Sequence, residues 1–268
     1  MKKRADLLLV ERGLVESRSR AVALILAGKV FSGERRIEKA GDMLAEETPL
    51  DLRGQDHPWV SRGGLKLVHA LDHFGIDPTG RTCLDVGAST GGFTDVLLAR
   101  GASKVYAVDV GRGQIAWRLR QDPRVHLLEG VNARQLTNAE IPDAPSLITC
   151  DASFIGLATV LAAPLALAAA SAELVALIKP QFEVGREGVG KGGIVRDPAL
   201  REAACRRVAD WLGEQPGWRV GGIIESPITG AEGNVEYLIT AQREEGRPCP
   251  SAAKQGPTPP PPPKPAAG

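Results

Sequence analysis

Four residues carry groups suited to drawing a proton from a weak acid: Lys66, Asp151, Lys179 and Glu236. Each stands at the edge of an apolar stretch, in SRGGLKL, CDASF, LIKPQF and GNVEYL respectively. A hydroxyl is a poor nucleophile until it loses its proton, and a lysine whose pKa is lowered by burial and a neighbouring cation can take that proton. Two lysines with two carboxylates make a coupled set that titrates as a group. The simpler account makes Lys179 a strand cap and Glu236 half of a solvated cross-strand pair. Two strand-end residues flanked by Phe154 and Pro180 fit that account less well. His57, His69, His73 and His126 are scattered, and no metal-ligand spacing occurs, which disfavours hydrolase and metalloenzyme chemistry.

These groups need a scaffold, and the sequence from Thr82 onward supplies one. Short apolar runs at Thr82–Val86, Lys104–Asp109, Val125–Glu129, Ser146–Asp151 and Ala172–Lys179 read as strands. Helices are expected near Gly92–Arg100, Gln114–Gln121 and Gly156–Ala168, then at Pro198–Glu214, with closing strands at Arg219–Ile224 and Val235–Ala241. Alternation of this kind implies an α/β fold, a doubly wound parallel sheet with right-handed crossovers. In such sheets the reaction crevice lies outside the carboxyl ends of the strands, where Asp151 and Lys179 would converge.

The first strand runs into Asp85-Val86-Gly87-Ala88-Ser89-Thr90-Gly91-Gly92-Phe93, a nucleotide-binding position. The dinucleotide fingerprint needs a second glycine so that backbone can approach a pyrophosphate. Ser89 holds that place, so a cofactor without phosphates, S-adenosylmethionine, is favoured. Asp109 ends the second strand 24 residues after Asp85, where a carboxylate can accept both ribose hydroxyls. The expected cofactor contacts are Asp85, Gly87, Ala88, Ser89, Thr90, Gly91, Gly92, Phe93, Asp109, Asn132 and Asp151. The alternative is a glycine turn followed by an aspartate of no special role.

Ahead of this scaffold lies a compact α+β module. Of the 268 residues, the first forty hold ten Lys+Arg against five Asp+Glu, although the whole chain is formally only +1. Residues 41–56 reverse the sign with five acids against Arg53. Ser17 is a plausible N-cap, a helix should stop at Gly28, and Val30-Phe31 begins a strand that turns at Gly33. Residues 41–52 read as a second short strand pair. Arg18 and Arg20 on the exposed first helical turn, with Arg4 and Lys29, are candidates for holding RNA phosphates, against the alternative of a solvated helix face. The expected divisions are 1–55 RNA-binding module, 56–60 linker, 61–245 catalytic domain and 246–268 a disordered tail holding nine of the twenty prolines. Four cysteines without a CxxC pair point to reduced thiols and a cytoplasmic setting. The uncharged stretch 152–172 is alanine-rich and interrupted by Gly156 and Pro164, so a buried crossover helix is expected and no membrane span.

SRGGLKL, LDVGASTGGFTDVLL, VDVGRGQ, DASFI, IKPQFE and GNVEYL, in this order, resemble the TlyA family of ribosomal RNA 2′-O-methyltransferases. The front segment RADLLLVERGLVESRSRAVALILAGKVF is similar to that family's S-four type RNA-binding domain. The resemblance runs from about Arg4 to Arg243. It implies a Rossmann-like methyltransferase sheet behind a small N-terminal RNA-binding domain, and the Lys-Asp-Lys-Glu tetrad of FtsJ-like enzymes at Lys66, Asp151, Lys179 and Glu236. In that tetrad Lys179 would activate the hydroxyl, with Asp151 and Glu236 orienting it and Lys66 assisting. It also implies cytidine in ribosomal RNA as the substrate and S-adenosylmethionine as the cofactor, with no metal. Three rivals remain: a nucleobase methyltransferase, since DASF resembles the acid-aromatic motif of amino methyltransferases; a haemolysin, as family members are often labelled; and a catalytically silent RNA-binding factor.

Overall fold

The computed structural model describes residues 2–15, 17–52, 57–230 and 233–244. The Pro-rich segment from 246 onward and residue 56 of the expected linker fall outside them.

The front segment runs β1 (Lys2–Arg4), α1 (Ala5–Glu11), α2 (Arg18–Leu26), β2 (Val30–Ser32), β3 (Arg35–Arg36), β4 (Met43–Ala45) and β5 (Asp51–Leu52). Leu8 and Leu9 of α1, Ala21, Leu24 and Ile25 of α2, and Val30, Ile37 and Leu44 bury a core of its own. Ser17 caps α2, its Oγ accepting from Arg20 N at 3.2 Å. The helix ends where Gly28 turns left-handed (φ 69°), with Gly28 N donating to Ile25 O and Lys29 N to Leu24 O. The expected strand pair within 41–52 does not form. β4 pairs with β1 and β5 with β2, both antiparallel. Strands this short are marginal alone, and each joins one that directly adjoins or follows the helices, β1 before α1 and β2 after α2.

The remainder is three-layered. α3 (Gly63–Phe74), β6 (Thr82–Val86), α4 (Gly92–Ala99), β7 (Lys104–Asp109), α5 (Trp117–Arg120), β8 (Val125–Glu129), β9 (Leu147–Cys150), α6 (Leu157–Ala166), β10 (Ala172–Ile178), α7 (Pro180–Glu183), α8 (Pro198–Gly213), β11 (Trp218–Glu225) and β12 (Tyr237–Arg243) follow in order. Seven strands form one sheet in the order β11-β12-β10-β9-β6-β7-β8. β6 to β10 run parallel, and β12 enters antiparallel to both β10 and β11. Alternate residues of one strand face opposite layers: Val105 and Ala107 belong to the core cluster that α3 and α4 enter, Tyr106 and Val108 to the one that α6 and α8 enter. Both faces are covered, which is why these strands read as unbroken apolar runs.

Three helices depart from the sequence reading, the four-residue α7 among them. The helix expected at Gln114–Gln121 shrinks to Trp117–Arg120, because the residues before it are extended to grip the glycine loop: Ala116 N donates to Thr90 O at 3.1 Å and Ser89 Oγ to Gln114 Oε1 at 3.2 Å. α3, which carries Lys66, has no counterpart in the sequence reading. Among the described residues no helix is long and apolar enough to cross a membrane.

Candidate active site

The strand order reverses between β6 and β9, so the crevice opens at their carboxyl ends. Register places the functional residues along this edge. Val86 pairs with Cys150, which sets Gly87 beside Asp151. Ile178 pairs with Tyr237, so Lys179, leaving β10, faces Glu236, entering β12. Glu236 therefore stands in the β11–β12 hairpin, its O accepting from Ser226 N, yet it is not solvated: it is 3% exposed just before its strand.

The four charged residues form two ion pairs. Lys66 Nζ lies 2.6 Å from Glu236 Oε2, both side chains buried. Lys179 Nζ lies 2.6 Å from Asp151 Oδ1, and it also donates to Asp151 O (3.1 Å) and Ser153 Oγ (2.8 Å). The Oδ1 contact is an ion pair off the hydrogen-bonding direction, and Oδ1 has no aligned donor. Gly63, one turn before Lys66, joins the pairs: a Cβ there would stand 3.6 Å from Asp151 Oδ2. Buried charges of this sort are tolerable only as pairs, and removing one partner costs about 3–5 kcal/mol.

The glycine loop divides its labour. Gly87 (φ 80°) touches the backbone of the next strand's exit, since a Cβ would sit 2.9 Å from Ala152 Cα. Only glycine fits both that conformation and that approach. Gly87, Ser89, Asp109, Asn132 and Asp151 line a cleft of about 560 Å³ with Val110, Phe154 and Ile155. Asp109 braces the loop through its own carboxylate, accepting from Ser89 N (2.8 Å) and Gly111 N (2.7 Å). Each oxygen keeps a second lone pair, so the two could still accept from the hydroxyls of a ribose. The Asn132 Oδ1 accepts from Arg134 N at 3.1 Å, fixing the chain beyond β8. A cradle with a carboxylate and no cation for a phosphate suits S-adenosylmethionine.

Other residues of the loop lie elsewhere. Asp85 is fully buried beneath it, accepting from Thr94 Oγ1 at 2.7 Å and Thr149 Oγ1 at 3.0 Å, and does not reach the cleft. Burial first of all pushes its carboxyl up to about 6, with the two threonine hydroxyls opposing. Ala88, Thr90, Gly91, Gly92 and Phe93 also stand outside the cleft lining. Gly92 permits the approach of α3 to α4, because a Cβ would stand 2.2 Å from Ser61 Oγ.

Sequence reasoning missed Ser153 and Glu183, and it named Phe154 without its conformation. Ser153 holds Lys179, and the serine in DASF was its only signal. Phe154 is 89% exposed and left-handed (φ 65°), its ring 5.2 Å from that of Phe182. A bulky residue in that conformation costs about 1–3 kcal/mol, and such strain gathers at functional sites. Glu183 Oε1 accepts from Leu157 N at 2.8 Å, satisfying the start of α6.

In the front segment Arg4 and Arg18 converge on one carboxylate. Asp6 accepts from Arg4 Nε (2.9 Å), Arg4 Nη2 (3.0 Å) and Arg18 Nε (2.7 Å) while wholly buried. Arg20 is exposed on the same helix and Lys29 is half-buried past its end. Among the described residues no cluster of side chains could hold a metal ion.

The FtsJ-like methyltransferase family matches residues 59–243. The chain is 48% identical over 245 residues to the 16S/23S rRNA (cytidine-2′-O)-methyltransferase TlyA of Mycobacterium tuberculosis, covering 91% of each. It is 42% identical over 242 residues to Hemolysin A of Brachyspira hyodysenteriae, covering 88% of this chain and 98% of that one. A solved structure from Streptococcus thermophilus, described as a candidate haemolysin, superposes with a TM-score of 0.68 at 40% identity, covering 91% of this chain and 89% of that one.

Proposed function

The chain belongs to the TlyA family, built on an FtsJ-like methyltransferase domain. On that premise we propose that it transfers a methyl group from S-adenosylmethionine to the ribose 2′-hydroxyl of cytidine in ribosomal RNA, in one or both subunits. The observation that carries this reading is the pair of buried Lys–carboxylate contacts at the mouth of the glycine loop, drawn from four separate elements. The cofactor, when bound, supplies an electrophilic methyl on a sulfonium.

The residues then have distinct tasks. As an ammonium, Lys179 donates to Asp151 O and Ser153 Oγ and lies against Asp151 Oδ1 as an ion pair. As an amine it keeps two of those contacts and turns a lone pair to the incoming hydroxyl, whose proton it takes. Asp151 then stabilises the ammonium that results. Glu236 neutralises Lys66, which leaves the second pair to orient the ribose without adding net charge. Gly87, Ser89, Asn132 and Asp109 would hold the cofactor, with Asp109 at its ribose. The segment before residue 56 serves as the RNA-docking module through Arg4, Arg18, Arg20 and Lys29, and the working compartment is the cytoplasm, where ribosomal subunits are found.

The nucleobase reading needs the Asp151 carboxylate for an amino proton, and Lys179 already occupies it. Pore formation finds no support in any described helix. The test is digestion to nucleosides after incubation of ribosomal subunits with methyl-labelled cofactor. Label in 2′-O-methylcytidine is expected. Label in a base, or none from a folded protein, overturns the proposal.

A further inference from the structure

The segment after α7 carries a feature that the two ion pairs do not use. Gly190 to Ile194 form a tight turn, with Gly190 N donating to Ile194 O and Gly193 N to Gly190 O, both at 3.1 Å. Gly192 and Gly193 are both left-handed, at φ 79° and 76°. Such a glycine pair is costly to order, and a buried side chain orders it. Asn234, 1% exposed, accepts from Val195 N at 3.0 Å and donates to Gly193 O at 2.8 Å. Asn234 precedes Glu236 by two residues, so at most about 7 Å of backbone separates the turn's anchor from the Lys66–Glu236 pair. Gly230 closes the same region, since a Cβ there would lie 2.5 Å from Glu236 Oε1.

The tip of this turn is cationic and donor-rich. Lys191 is exposed, and no carboxylate pairs with it among the described residues. Arg196, also exposed, folds back so that its Nη1 donates to Lys191 O at 3.5 Å. The amides of Lys191 and Gly192 have no acceptor among the described residues. Successive free amides on a glycine turn beside cations form an anion-binding concavity. S-adenosylmethionine has no phosphate, so an anion site here answers to the other substrate.

We infer that the Gly190–Ile194 turn binds a backbone phosphate of the RNA beside the target nucleotide, and that Asn234 is the positioning residue that fixes this turn relative to the catalytic pairs. The inference rests on the RNA-methyltransferase reading above and adds the contact that sets the strand's register. A phosphate held by the turn fixes the ribose that follows it, which is how a bound strand presents one 2′-hydroxyl at a time.

The test is Lys191→Gln, a surface change that leaves the ion pairs intact. Binding to ribosomal subunits is measured over a salt series, alongside methylation kinetics and cofactor affinity. We expect RNA affinity to fall about fivefold, the slope of log affinity against log salt to become shallower by about one phosphate contact, and kcat and cofactor affinity to hold. Asn234→Ala should reproduce the weaker RNA binding as a raised KM with Lys191 still present, whereas Asn234→Asp, which keeps the contact to Val195 N, should reverse part of it. Unchanged affinity and salt slope in Lys191→Gln overturn the inference. Inorganic phosphate that competes with RNA beyond its ionic strength only while Lys191 is present supports it, whereas phosphate that binds at Lys191 and leaves RNA affinity unchanged overturns it, since that assigns the turn to a small anion. If the wild-type protein binds subunits through Lys191 yet methylates nothing, the methyl-transfer reading fails and the phosphate site stands.

Discussion

Replacing Asp6 by asparagine separates two effects that charge counting merges. Asp6 is wholly buried and takes three hydrogen bonds from Arg4 and Arg18, whose side chains are 42% and 59% exposed. The bonds from Arg4 dominate in holding its carboxyl at about 2, against an ordinary 3.8, with Arg18 adding to them and burial opposing. A shift of that size corresponds to at most about 2.5 kcal/mol. The arginines stand half in water, and screening reduces the figure to about 1–2 kcal/mol. Because the folded value is the lower one, this stability is present above pH 3.8 and lost as pH falls toward 2.

Asp6→Asn keeps the shape, removes the charge and turns an amide donor toward a guanidinium. By Coulomb's law alone, an extra positive charge on this face should tighten RNA binding and steepen its salt dependence. If Asp6 instead pre-sets the two guanidinium groups for phosphate, affinity should fall although the surface is more basic. The expected result is a loss of about 1–2 kcal/mol in denaturant unfolding at pH 7 that vanishes near pH 2, together with weaker binding to ribosomal subunits. Tighter binding with unchanged stability would refute the reasoning and reduce Arg4 and Arg18 to independent surface charges.

Lys179→Ala should lower methyl transfer by about 10²–10⁴-fold, with cofactor affinity by calorimetry nearly unchanged; a parallel loss of cofactor binding marks the lysine as structural. Asp109→Ala should do the reverse, weakening cofactor affinity about tenfold as Ser89 N and Gly111 N lose their acceptor, and equal affinity removes Asp109 from the cofactor site. Asp85 has its folded pKa raised to about 6, so its contribution is complete below pH 3.8 and lost as pH rises through 6. Thermal scans of Asp85→Asn should therefore gain on the wild type between pH 4 and pH 7, and a constant difference across that range contradicts the assignment. Phe154→Gly should release the left-handed strain, raising stability by about 1 kcal/mol while slowing methylation, and faster or unchanged turnover would make the exposed ring incidental.

The sheet was legible because its strands are covered on both faces, and Thr82–Val86, Lys104–Asp109 and Val125–Glu129 stand at their expected limits. What escaped was structure whose cause lies far along the chain. α3 opens on Gly63 and Gly64, a poor start by propensity. Its reason is tertiary: a Cβ on Gly64 would stand 2.5 Å from Trp59 Cγ, and Gly92 lies against Ser61. For the same cause the glycines after Asp85 read as one cofactor motif, although Gly87 serves the cleft while Gly91 packs on Leu119 and Gly92 on Ser61. Composition marks where backbones come close and leaves open what they come close to.

Glu236 shows the limit most sharply. Asp151 and Lys179 follow their strands, and a parallel sheet delivers residues in that position to the crevice without further information. Glu236 precedes its strand, so in a parallel arrangement it would lie at the opposite edge of the sheet from the reaction. It reaches Lys66 only because β12 runs backward between β10 and β11, which brings its first residue to the end where the others leave. The buried pair then closes the chain across 170 residues, joining the helix that enters the domain to the strand that completes it. A carboxylate of the tetrad thus depends on strand direction. Direction is set by pairing with β10 and by the burial of Leu238 and Ile239, so the reversed strand is part of the active site as much as the charged residues are.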